Sequence, residues 1–92
     1  AVASLRLHEA IFGHMLEEED RKTAGFKVLR RALGYTLSVV VCALSQEGFE
    51  FMARLSASQD ADVRWVVKQN IKKKRLVGHY PQEVQAIQQL LG

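Results

Sequence analysis

The chain has 92 residues, of which 48% are hydrophobic, so it can bury the core of one small domain. A single cysteine excludes an internal disulfide, and no apolar run is long enough to span a bilayer. The net charge of +3 is unevenly placed, because residues 17–20 are all acidic and residues 72–75 are all basic. We expect a cytoplasmic protein. Because residue 1 is not Met and no signal peptide is visible, we also expect a piece of a longer chain.

Two long helices are predicted in the first half of the chain. The first runs from about Ser4, as its cap, to about Glu18. Apolar residues fall on one stripe of this helix, joined by His8: Leu5, Ile11, Phe12, Met15 and Leu16. The second helix begins at about Phe26 and keeps one apolar face through to Leu44. Gly34 lowers helix propensity there and indicates a close approach or a bend. The lone thiol of Cys42 lies in this apolar run and is expected to be buried and inert.

Three further helices are predicted in the second half. Ser45 is expected to cap a short helix, and Asp60 is expected to cap the next one, which runs from Ala61 to about Arg75. Pro81 suits the first turn of a last helix that reaches about residue 91. The fold class is therefore all-α, with about five helices.

The sequence also contains an internal repeat. Leu29-Arg30 and Val63-Arg64 open similar apolar patterns that are 34 residues apart, a period typical of stacked helical pairs. The helices then form antiparallel pairs over about 4–44 and 46–75, followed by a final helix over about 81–91. This pattern favours an α-α superhelix, or solenoid, over an up-down bundle, because a bundle does not require the internal match.

The stretch from Phe49 to Ile71 resembles the HEAT repeat, in which an acidic turn residue and a Val-Arg pair open the second helix. Here those marks are Asp60, Asp62 and Val63-Arg64. Residues 26–91 are also similar to a bacterial type of HEAT-repeat protein, of which the chain would be a C-terminal fragment. The resemblance implies a single HEAT-like domain over residues 1–92, a scaffold for protein binding and no catalytic residues. The turn of the first pair, residues 20–25, is longer than the family pattern.

Trp65 is the first candidate for partner binding. It projects away from the apolar stripe of its helix and has cationic neighbours at helical spacing. The basic run at residues 72–75 adds further positive charge. The candidate partner-binding residues are Trp65, Lys68, Lys72, Lys73 and Arg75. An exposed indole ringed by cations can stack on a nucleobase or anchor a peptide. Alternatively, Trp65 packs between helices under lysine stems, and the basic run is a solvated helix end.

Five other polar residues are predicted to have structural roles in the repeat. Arg30 and Arg64 occupy equivalent repeat positions, and each is expected to bridge to Asp60 or Asp62. Asn70 lies in an apolar stripe and is expected to bond a neighbouring backbone or turn group.

No chemistry-bearing constellation is evident. His8, His14 and His79 are scattered without further ligands, so no metal or cofactor is predicted. No nucleophile pairs visibly with a base, and no enzyme activity is predicted. The leading hypothesis is a non-catalytic scaffold that binds a protein or the rest of its own chain. The alternative is nucleic-acid binding through the Trp65 and lysine face, as in a HEAT-like DNA-repair glycosylase.

Overall fold

A computed structural model describes all 92 residues, and it contains six helices and no strand. The helices are α1 (Val2–Glu17), α2 (Ala24–Ala43), α3 (Ser45–Ser56), α4 (Ala61–Ile71), α5 (Lys74–Val77) and α6 (Pro81–Leu91). The predicted all-α fold is therefore confirmed. None of the helices combines the length and the apolar character that crossing a membrane requires.

Two of the predicted helix starts are confirmed, and one cap was not predicted. The carboxylate of Asp60 accepts hydrogen bonds from the backbone N–H groups of Asp62 and Val63, as an N-cap should. Pro81 occupies the first turn of α6, where its missing N–H has no helical partner to lose. The hydroxyl of Thr23 caps α2 by accepting from the N–H of Phe26, so this helix begins earlier than its apolar stripe.

Two predicted caps are wrong. The first helix already begins at Val2, and Ser4 lies within it. Ser45 is the first residue of α3 rather than its cap, and no side chain caps that helix. The reason is the connection between α2 and α3, which consists of Leu44 alone in a non-helical conformation with φ −135° and ψ 75°. Because only one residue separates the two helices, Ser45 is already part of α3.

The helix predicted to reach Arg75 ends at Ile71, and this accounts for the sixth helix. Lys73 is extended, and the chain then forms the single turn α5. In a continuous helix Leu76 would fall on the same side as Trp65, away from the apolar stripe of Val63. The break instead turns Leu76 inward, where its side chain is fully buried. Burial of one more leucine therefore decides where α4 stops.

Helices α2 and α4 lie side by side and run in the same direction. Two contacts between them have the same sequence offset, Arg30 with Asp62 and Ser38 with Asn70, and Cys42 of α2 contacts Arg75 of α5 at nearly the same offset. A constant offset requires parallel axes, because antiparallel partners would show a constant sum of residue numbers. The two helices form one layer of the molecule.

Helices α3 and α6 form the other layer. Near their starts, Phe49 and Tyr80 pack edge to face with ring centroids 5.3 Å apart. Near their ends, the guanidinium of Arg64 donates to the carbonyls of Ser56 and Leu91. Helices α3 and α6 therefore also run in parallel, and Gly48 of α3 packs closely on Val41 of α2. The core lies between the layers and contains 19 buried apolar residues.

Helix α1 is attached to both layers. Its Phe12 ring meets Phe51 of α3 edge to face at 5.6 Å. The buried imidazole of His8 is within hydrogen-bond distance of the Ser4 carbonyl and the Thr36 hydroxyl of α2. Its burial and both contacts give this histidine a structural role.

Candidate functional site: a basic face

The seam between α2 and α4 contains Trp65, packed between the two helices. A Cβ atom at Gly34 would lie 3.3 Å from Cζ3 of the indole, so the glycine makes room for the ring. The guanidinium carbon of Arg30 lies 3.7 Å from the ring centroid, a close cation–π stack. The indole is therefore half-buried, and Arg30 covers it where lysine stems were expected.

An ion-pair network closes one end of this seam. Arg30 donates from Nε to Asp62 at 2.8 Å, as predicted from the repeat. Arg21, in the turn after α1, bonds both Asp60 and Asp62 and also the backbone carbonyl of Met15. No sequence pattern singles out Arg21, whose acidic partners lie about forty residues away along the chain.

This network changes the acidity of Asp60. Burial by itself would raise the pKa of the Asp60 carboxyl. The hydrogen bond from Arg21, the backbone N–H groups of Val63 and Asp62 and the Arg21 charge outweigh burial, and they lower this pKa. The hydrogen bonds that Arg21 donates to Asp60 and Asp62, and the charges of these carboxylates, raise the pKa of Arg21 above its ordinary value. Asp60 and Asp62 are therefore neutralised by arginines within the fold.

The other two predicted structural residues have different outcomes. Arg64 does not bridge to an acidic residue, because its guanidinium reaches three backbone carbonyls, those of Ser56, Ser58 and Leu91. Asn70 is fully buried and fully bonded, as expected of a polar group in an apolar stripe. Its amide donates to the carbonyls of Leu33 and Val66 and accepts from the N–H of Ser38.

Positive charge is concentrated on the solvent side of this seam. Of the 13 lysines and arginines, nine lie on α2 or in residues 61–77, together with one acidic residue, Asp62. Arginines 6, 21, 30 and 54 make all five ion pairs of the structure. The cations of these two segments that have no carboxylate partner include Lys27, Arg31, Lys68, Lys72, Lys73 and Arg75. We call these six cations, together with Tyr35, the basic face.

Helical spacing explains why these residues share a side. Lys27, Arg31 and Tyr35 follow one another at intervals of four residues along α2, beside the positions that contact α4. Lys68 and Lys72 have the same spacing on α4, and both border a groove of about 300 Å³ next to the end of α6. The residues of both stripes are exposed, so each helix of this layer presents positive charge to solvent.

Tyr35 lies among the cations at the α5 end of the face, with 52% of its surface exposed. Arg75 donates a hydrogen bond of 3.1 Å to its phenol oxygen, and the guanidinium carbon is 4.8 Å from the ring centroid. The ammonium of Lys73 is 5.4 Å from the same centroid. The hydrogen bond and the charge of Arg75 lower the pKa of Tyr35.

A cleft of about 640 Å³ opens beside this cluster. It is lined by Val39, Cys42, Arg75, His79 and Tyr80. The cysteine is therefore half-buried at the edge of a cleft, and not enclosed as predicted. Its thiol donates a long hydrogen bond, 3.8 Å, to the Arg75 carbonyl.

The structure therefore places Lys73 and Arg75 beside Tyr35, and Lys68 and Lys72 at the groove between α4 and the end of α6. Trp65 lies in the seam between α2 and α4. The candidate residue that the sequence prediction missed is Tyr35. One signal was available, since Tyr35 continues the spacing of Lys27 and Arg31 on a helix whose apolar face lies elsewhere. Its contacts with Lys73 and Arg75 depend on the break after α4, which the sequence did not show.

No family model matches the chain, and no curated protein or solved structure is significantly similar to it. The structure contains no cluster of three or more potential metal-ligating residues.

Proposed function

We propose that the chain is a non-catalytic scaffold of HEAT-like helical repeats that binds an anionic macromolecule through the basic face. The observation that carries the proposal is the set of six cations on this face that have no carboxylate partner. Unpaired charges of one sign on adjoining helices create a local potential that attracts a partner of opposite charge. An acidic protein segment and the phosphates of a nucleic acid both meet that requirement.

The arrangement of the helices supports the repeat part of the proposal. Parallel α2 and α4 in one layer, with parallel α3 and α6 in the other, match what successive helical pairs of a solenoid require. The Arg30 to Asp62 ion pair joins equivalent helices of the two predicted pairs. A stack of this kind presents one layer of helices as a continuous binding surface, and here that layer carries the positive charge.

Binding of anionic probes tests the proposal. A fluorescently labelled polyglutamate peptide and a labelled oligonucleotide, each about 15 units long, should both bind at about 50 mM salt and weaken steeply at about 200 mM. The charge-reversing double variant Lys68→Glu/Lys72→Glu should lower affinity for either probe at least about tenfold. Both side chains are exposed and unpaired, so the variant should keep the helical content of the wild type. Its stability should fall by only about 1–2 kcal/mol, because both charges lie at the C-terminal end of α4.

A matched control keeps the net charge of that variant. Arg6→Glu/Lys22→Glu reverses two exposed cations outside the basic face. If affinity follows net charge alone, both double variants will weaken binding equally, and the proposed face is wrong. If the wild type binds neither probe at low salt, the proposed function is wrong.

A further inference from the structure

Tyr35 offers an aromatic surface at the point of the basic face where cations are densest. Half of its surface is exposed, and Lys73 and Arg75 lie 5.4 and 4.8 Å from the ring centroid. The hydrogen bond from Arg75 to the phenol oxygen restrains the ring. Trp65 cannot serve in the same way, because Arg30 covers its ring and Gly34 lies against its edge.

We propose that the basic face binds single-stranded nucleic acid, with an unpaired base stacked on Tyr35 and its flanking phosphates held by the neighbouring cations. This inference rests on the proposed function and names the partner of the same surface. Proteins that bind single strands without sequence preference combine aromatic platforms with a cationic track for the backbone. Tyr35, with Lys73 and Arg75 beside it and Lys68 and Lys72 along α4, provides both elements.

The aromatic ring distinguishes this partner from the other anions. The carboxylates of an acidic peptide can pair with the cations, but such a peptide has no planar group that would stack on Tyr35. In a duplex each base is stacked between its neighbours, so no base face is free to stack on Tyr35. The face of an unpaired base is free to stack, and an alanine-type truncation of such a platform typically costs roughly tenfold or more in affinity. The cleft lined by Val39 and Tyr80 adds partly apolar space beside the ring.

The experiment compares four labelled probes of similar length, about 15 units. They are a mixed-sequence single strand without self-complementarity, the duplex that it forms with its complement, a single strand of abasic sites, and a polyglutamate peptide. Fluorescence anisotropy at about 50 mM salt should show the tightest binding for the single strand with bases. The abasic strand keeps the phosphates, so it should bind more weakly, by about the contribution of stacking.

Two substitutions at Tyr35 isolate the ring. Tyr35→Leu should reduce affinity for the single strand about tenfold and leave the abasic strand and the peptide unchanged. Tyr35→Phe keeps the ring and loses the hydrogen bond from Arg75, so it should bind the single strand within about threefold of wild type. Because Tyr35 is half-exposed, both variants should keep the circular dichroism spectrum and unfolding temperature of the wild type.

The outcomes separate the two proposals. Equal binding of the duplex and the single strand, or no loss for Tyr35→Leu, would overturn the single-strand inference while leaving an anion-binding scaffold in place. Preference for the peptide would do the same and identify an acidic protein as the partner. If the wild-type protein bound none of the four probes, the proposed function itself would be wrong.

Discussion

The buried amide of Asn70 should be among the largest single contributions of a polar side chain to stability. It makes three hydrogen bonds of 2.7 to 2.9 Å, to Leu33, Val66 and Ser38, and none of its surface is exposed. Two of these bonds cross from α4 to the backbone of α2. They therefore fix the register of the two helices that carry the basic face.

The cost of removing this amide follows from those contacts. Each hydrogen bond contributes about 0.5–1.5 kcal/mol net, so the three together contribute about 1.5–4.5 kcal/mol. The whole chain is expected to be stable by about 5–14 kcal/mol, because domains gain roughly 0.05–0.15 kcal/mol per residue. Asn70→Ala should therefore lower the free energy of unfolding by about 1.5–4.5 kcal/mol, a large share of the total.

Urea unfolding followed by far-ultraviolet circular dichroism measures this change. Asn70→Leu fills a similar volume without donors or acceptors, so it separates lost hydrogen bonds from an empty cavity and should remain destabilised. Gln69→Ala is the matched control, because it removes an amide from the same helix that forms no side-chain hydrogen bond. If Asn70→Leu were as stable as the wild type, the hydrogen bonds would contribute nothing net and the reasoning would be wrong.

Other perturbations test the packing and the ion-pair network. Gly48→Ala should destabilise the fold in the same urea assay, since the new Cβ would lie 2.7 Å from a backbone carbon of α2. Gly13→Ala should instead stabilise α1 by about 0.5–1 kcal/mol, because a Cβ there would meet no other atom. The pKa of the Asp60 carboxyl is lower in the folded chain than its ordinary value of 3.8. The stability that its charged form contributes should therefore be complete above about pH 4 and be lost as the pH falls through the folded-state pKa. Arg21→Gln should reduce this acid sensitivity, and an unchanged pH profile would exclude Asp60 as its source. Trp65→Ala should lower the unfolding temperature, and a loss of probe binding without that drop would instead mark the indole as a partner anchor.

Local signals located most of the helices correctly. The apolar stripes of α1, α2 and α6 depend on helical spacing, and Asp60 and Pro81 act within their own first turns. The ion pair between Arg30 and Asp62 could also be predicted, because the internal repeat places the two helices in equivalent positions. One error, the end of α4, arose where a distant contact decided the outcome. The break after α4 follows from the burial of Leu76.

The same distinction between local signals and distant contacts applies to the candidate site. Its cations could be read from the chain, because a basic run and helical spacing are properties of the sequence. Their grouping with Tyr35 could not, since it requires α2 and α4 to be parallel and α5 to fold back over the end of the seam. The sequence also left the burial of Trp65 open, because that depends on Arg30 and Gly34, which lie against its ring.

The sequence by itself thus determined an all-α chain, its main helices and a surplus of positive charge in its second half. Those properties depend on periodicity, caps and composition, which act over a few residues. Only the tertiary structure decided which cations are neutralised, which aromatic ring is covered and which is exposed. These depend on partners separated by roughly thirty to forty residues, which no local pattern specifies.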